Sequence, residues 1–300
     1  MWDDFNFDYI VSAEFCVSTL ADGQEEHYQV PADVSVQDAL RQMARETRYH
    51  FEREGVEVEQ FELSEKYAAT ETLVADLASE VMALPRQLYA EEGFESSSDA
   101  LGDPVIVTYY FGVFRDNAGR KLVGVRRANR FKGVLKNQLI SLFDDTLRVI
   151  EDRVFRLDHD FDFLITSAHV YILRPEGFNS VALIEQMASQ AAHEKALELG
   201  EQIAFAHFER IAAFARDKKR AARIVAALHA RDDLGTIRRA KFISAAQEAG
   251  IILVKIGQKV APQDGHELAF LELLDRRRYT TDIAIGAKEK FVASSRKRIE

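Results

Sequence analysis

The sequence predicts an α+β protein: an N-terminal mixed sheet with helices, then a C-terminal helical region packed on a small antiparallel sheet. Three observations predict it. Short apolar runs bounded by Gly, Pro, Asn and Asp mark strands up to residue 173. Residues 104–126 contain two strong apolar runs around Asp116-Asn117-Ala118-Gly119-Arg120, which reads as a hairpin. Beyond residue 178 the apolar spacing changes to that of helices.

In chain order, residues 9–17 read as a strand and 27–30 as a second, closed by Pro31. A helix follows to about Arg53, with Ser35 as its cap, Asp38 as capping-box partner and Gly55 as its end. Residues 56–63 form a strand. Leu73, Leu77, Val81 and Leu84 have helical spacing and predict a helix over 70–92. The acidic, Ser/Gly-rich stretch 91–104 is a loop or linker, which divides the chain into 1–100 and 101–300. After the hairpin, Leu135, Leu139, Leu142, Phe143 and Leu147 keep register along an amphipathic segment, 131–151. Short strands are expected at 153–157, 161–166 and 168–173, and helices at 178–199, 201–231 and 234–249, the last stopped by Gly250. A strand at 251–256, a short element at 266–274 and a basic tail from Lys288 complete the chain.

The chain has 300 residues, 47% of them apolar, enough to bury a core without metal or disulfide. Its one cysteine, Cys16, excludes an internal disulfide and a multi-thiolate zinc site, and it reads as a small buried hydrophobe. The acidic start Met1-Trp2-Asp3-Asp4-Phe5 lacks signal-peptide features, and the longest apolar run, 105–114, is too short to span a bilayer. A cytoplasmic protein is expected, reaching a membrane only through a partner. The net charge of −10 is unevenly spread: residues 1–120 carry 25 acidic and 8 basic side chains, residues 121–300 carry 24 and 31. Such asymmetry points to a polyanion on the basic part. Two oppositely charged regions packed together, or on a partner subunit, would read the same way.

Motifs for chemistry are scarce. No phosphate-binding glycine loop or Gly-x-Ser-x-Gly elbow occurs, and no cofactor or catalytic residue is assigned. Asp158, Asp160 and Asp162 alternate on a strand and could serve a magnesium-dependent nuclease, but the next strand supplies neither the acid nor the lysine such a site uses. Solvent-facing strand or turn residues are the plainer expectation, and no metal is assigned.

The basic residues are more informative. Arg216, Lys219, Arg220 and Arg223 fall at i, i+3, i+4 and i+7, one stripe of a helix, widened by Lys218. Arg238, Arg239 and Lys241 open the next helix, and Arg126, Arg127, Arg130 and Lys132 close the hairpin. Arg276-Arg277-Arg278-Tyr279 and the tail add two more groups. Arginine forks grip phosphate oxygens in pairs. Without helix-turn-helix or zinc-finger hallmarks, the expected contact is with the nucleic-acid backbone, with little sequence reading.

From Phe131 the chain resembles a known family. The carrying segments are Phe131-Lys132-Gly133-Val134-Leu135-Lys136, Arg153-Val154-Phe155-Arg156-Leu157-Asp158, Phe161-Asp162-Phe163-Leu164-Ile165 and Val170-Tyr171-Ile172, closing at Gly177-Phe178. This order is similar to the KwaB-like family of the Kiwa anti-phage system, over roughly residues 100–300. The resemblance implies a DNA-binding protein in phage defence, self-associating as a homodimer or higher homo-oligomer and partnered by the small membrane protein KwaA. It carries over no catalytic residue. A salt-dependent oligomeric scaffold for a membrane partner, and a magnesium-dependent nuclease, stand as alternatives.

Overall fold

The computed structural model describes residues 2–21, 24–101, 106–128, 140–143, 146–149, 156–281 and 289–293. It forms two compact units. The first is Met1–Glu59 with Ala69–Ala182, and the second is Gln60–Ala68 with Leu183–Glu300.

The first unit contains β1 (Ile10–Ala21), β2 (Gln24–Val30), α1 (Val34–Glu52), β3 (Val58–Gln60), β4 (Thr72–Asp76), α2 (Ala83–Ala90), β5 (Glu95–Ser96), β6 (Ile106–Asp116), β7 (Lys121–Arg127), β8 (Ile140–Phe143), β9 (Thr146–Val149), β10 (Phe163–Ile165), β11 (His169–Ile172) and α3 (Pro175–Val181). Nine strands make one mixed sheet in the order β3-β4-β11-β10-β7-β6-β1-β2-β5. Strand β1 runs antiparallel to both β2 and β6, and β11 runs antiparallel to β4. The first hundred residues therefore flank the β6–β7 hairpin on both sides. With the sheet joining residues on either side of position 100, the breaks between units fall at 59/60, 68/69 and 182/183, where the sequence suggests one at 100/101.

The sheet centre depends on two glycines. Gly112 of β6 pairs with Gly124 of β7. A Cβ at Gly124 would lie 2.6 Å from the Phe161 ring, and one at Gly112 would lie 2.6 Å from Phe114. The missing side chains thus leave a slot that two phenyl rings fill. Helix α1 covers this face with Leu40, Met43, Ala44 and Phe51. Its Thr47 Oγ1 accepts the Phe161 N–H at 2.8 Å.

Asp33, not Ser35, caps α1: its carboxylate accepts the Val36 N–H at 2.9 Å, and Ser35 Oγ donates to the same carboxylate. The helix starts before Ser35, so Asp33 is the residue with the extended backbone that a cap requires. The expected helix over 70–92 divides into β4 and α2. Leu73 to Asp76 pair with β11, and this tertiary partner outweighs the helical spacing of Leu73 and Leu77. Lys121 closes α2, donating from Nζ to Tyr89 O at 2.8 Å and to Glu91 O, a cation at the negative end of a helix. Within 131–151, residues 140–143 and 146–149 form the antiparallel pair β8–β9. Most of the strand expected at 153–157 lies outside the described residues.

The second unit contains α4 (Ile184–Gln202), α5 (Glu209–Asp217), α6 (Lys219–His229), α7 (Arg239–Glu248), β12 (Leu253–Ile256), β13 (Lys259–Pro262), α8 (Glu267–Leu274), β14 (Arg278–Thr281) and β15 (Glu289–Val292). Ala188, Ala192, Ala196, Ala212, Ala215, Ala221 and Ala222 are buried where α4, α5 and α6 meet. Small side chains let these helices approach closely, and Phe208, Phe242 and Phe270 fill the rest of the core. Gly250 (φ 76°) ends α7 as expected, because its left-handed backbone suits glycine. The segment expected as one helix over 201–231 is two helices, since Lys218 is extended (φ −125°, ψ 105°). The residues of 178–199 likewise divide between α3 and α4 at Leu183 (φ 50°).

Candidate functional site

The break at Lys218 divides the expected cationic stripe. Arg216 ends α5, whereas Lys219, Arg220 and Arg223 belong to α6. Arg220 Nε donates to Glu272 Oε1 at 3.2 Å. Arg223 donates to the carbonyls of Leu63 (2.6 Å) and Glu65 (3.0 Å). These two arginines hold the fold together. Arg216, Lys218 and Lys219 remain exposed at the α5–α6 junction, with Arg216 Nε 3.3 Å from the carboxylate of Asp217. Helix α6 has no side-chain cap and no acid in its first turn. The positive end of its dipole therefore coincides with lysines, an arrangement that favours an external anion.

Helix α7 repeats this pattern. Its cap position is Arg238, again without a side-chain cap, and its first turn holds Arg239 and Lys241 and no acid. All three cations are exposed, and none has an ion pair among the described residues.

The hairpin group behaves differently. Arg130 and Lys132 lie outside the described residues. Arg126 points into the first unit, with Nε 3.0 Å from Asp158 and Nη1 2.8 Å from Asp162 and 3.4 Å from Asp160. Burial works to lower the Arg126 pKa, but the Asp162 and Asp158 carboxylates prevail and hold it above its ordinary value. Arg127 is half-exposed and meets Glu176 at 3.4 Å, while its N–H donates to Asp162 at 2.8 Å. Arg174 closes the cluster on Asp160. A Cβ at Gly177 would lie 2.3 Å from the Asp162 carboxyl carbon, so glycine is needed beside it.

The aspartates expected to face solvent are thus largely buried, Asp160 at 6% exposure and Asp162 at 3%. Guanidinium groups occupy the space a metal would need. Among the described residues, no three His, Cys, Asp or Glu side chains come together to hold one. The sequence singles out neither Arg174 nor Glu176. The signal that could have found the cluster is register: pairing Val125 with Phe163 puts Arg126 beside Asp162.

Arg277 is fully buried. It donates to Glu65 Oε1 at 2.6 Å, Ser64 Oγ at 2.7 Å and Asp275 at 2.7 Å. Arg276 meets Asp233, and Arg278 meets Glu272. Of the expected surface group at 276–278, Arg277 is internal and Arg276 and Arg278 are each paired with a carboxylate.

Fold and surface together define an α+β protein whose exposed cations collect at two helix starts. A family model described as "Kiwa protein KwaB-like" matches residues 114–284, more than half of the chain, and takes in both the Arg126 cluster and α4–α8. The chain belongs to the KwaB-like family and is a component of the Kiwa anti-phage system. No curated protein and no solved structure matches it at a significant level. Among the described residues, no helix is long and apolar enough to cross a membrane.

Proposed function

We propose that this chain is the DNA-binding component of its Kiwa system, holding the phosphate backbone with little sequence preference. The observation that carries this reading is the pair of helix starts without a side-chain cap, α6 and α7, each lined with exposed cations and with no acid in its first turn. Lys218 and Lys219 serve one phosphate and Arg238, Arg239 and Lys241 another, with Arg216 beside the first. Helix N–H groups complete each contact. Arg220 and Arg223 hold α6 within the second unit, and Arg126 is taken up by Asp158, Asp160 and Asp162 within the first, so these three do not touch DNA.

The test is an electrophoretic shift with plain duplex DNA at two salt concentrations. Binding should weaken steeply with salt. Arg238→Gln with Arg239→Gln should weaken binding uniformly across sequences and flatten the log–log salt slope by about 0.9 for each phosphate no longer neutralised. An unchanged affinity and slope in that variant would dismiss this surface. Reversing Arg220 or Arg223 is a poor test, because each change also breaks a hydrogen bond inside the fold.

A further inference from the structure

The described part of the β14–β15 ribbon exposes large apolar side chains that the fold does not use. Tyr279 and Phe291 are directly paired across the two strands. Their rings stack with centroids 5.5 Å apart and planes 20° from parallel. Tyr279 is 49% exposed, Phe291 40% and the neighbouring Val292 47%. Aromatic rings left in water are costly unless a partner covers them, and flat rings suit flat partners.

The surrounding charge indicates the partner. Arg276, two residues before β14, is largely exposed but meets Asp233, and Arg278 on β14 meets Glu272, so the exposed cation of the strands is Lys290 on β15. Glu289 is the one acid among residues 278–281 and 289–293. Lys290 Nζ sits over the end of α7, where a Cβ on Gly250 would come within 2.7 Å of it. Helix α7 is ten residues long, about 15 Å. The ribbon therefore adjoins one end of the helix whose other end carries Arg238, Arg239 and Lys241.

From this geometry we infer that the β14–β15 ribbon is a stacking platform for the bases of single-stranded nucleic acid, with its backbone running toward the cationic start of α7. The inference rests on the DNA-binding reading above and adds to it the kind of strand engaged. Base-on-aromatic stacking accepts every base, which agrees with a surface that does not read sequence. Duplex DNA keeps its bases stacked on each other, so it gains nothing from the two rings.

The experiment compares a fluorescently labelled oligo(dT) with a labelled duplex, by anisotropy on the full chain at low salt. Tyr279→Ala and Phe291→Ala should each weaken oligo(dT) binding by about five- to hundredfold, the loss of one base stack, and leave duplex affinity unchanged. Tyr279→Phe keeps the ring and should keep the affinity. Glu289→Gln removes the one acid and should tighten oligo(dT) binding, a gain that misfolding cannot imitate. Oligo(dT) binding that ignores both alanine variants, or duplex binding with none to oligo(dT), overturns the platform and leaves the backbone reading standing. Failure to bind either probe overturns both.

Discussion

Asp3 has a left-handed backbone (φ 46°), which aspartate tolerates better than most residues. Its carboxylate accepts from Thr166 Oγ1 and, at 3.1 Å, from the Ala168 N–H, with His169 Nδ1 at 2.9 Å. Burial works to raise its pKa, but the bonds from Thr166, His169 and Ala168 prevail and hold it below its ordinary 3.8. A depressed carboxylate contributes stability above that value and loses it as pH falls through the folded-state pKa. Asp3→Asn keeps the backbone preference and should cost about 1 kcal/mol in urea unfolding at neutral pH, a gap that closes in acid. Gly124→Ala should cost more, about 1–3 kcal/mol in the same measurement, because the added methyl meets Phe161 at 2.6 Å. The composition shows Gly124 and Phe161 but not their meeting. That contact depends on sheet register, which a linear pattern carries only weakly.

At the scale of elements, the helices of the second unit are legible because apolar spacing of about 3.6 residues is a local signal carried by each segment itself. Their breaks are not. No proline or glycine marks Lys218, and only the extended backbone there separates α5 from α6. A cationic stripe read from spacing alone therefore crosses a bend that splits it. Leu73 illustrates the opposite error, a helical spacing taken over by a strand partner nearly a hundred residues away. Lys218 also yields a prediction. It occupies a cap position that asparagine or aspartate would fill better. Lys218→Asp should stabilise the protein by about 1 kcal/mol, seen as a raised melting temperature, while weakening duplex binding. A protein that keeps a poor cap at this position is consistent with a site reserved for an anion.

At the scale of the whole molecule, residues 60–68 are the least anticipated feature. This short strap leaves the first unit and contributes Ser64 and Glu65 to the interior of the second. The acidic character of the N-terminal region is plain in the sequence, but the long-range pairing of Glu65 with Arg277 is not, since nothing local marks it. Glu65→Ala leaves a buried guanidinium short of its bidentate partner and should destabilise the second unit by about 3–5 kcal/mol, measured by denaturant unfolding.

Trp2 is the chain's single tryptophan, packed edge-on against Phe7 and Phe51 in the first unit, with its indole N–H donating to Glu52. Most of the helix lies in the other unit. Indole emission therefore reports melting of the sheet unit, whereas far-ultraviolet ellipticity is weighted toward α4–α8. The two optical signals give a built-in pair of reporters, and a lesion such as Glu65→Ala should move the ellipticity curve further than the emission curve.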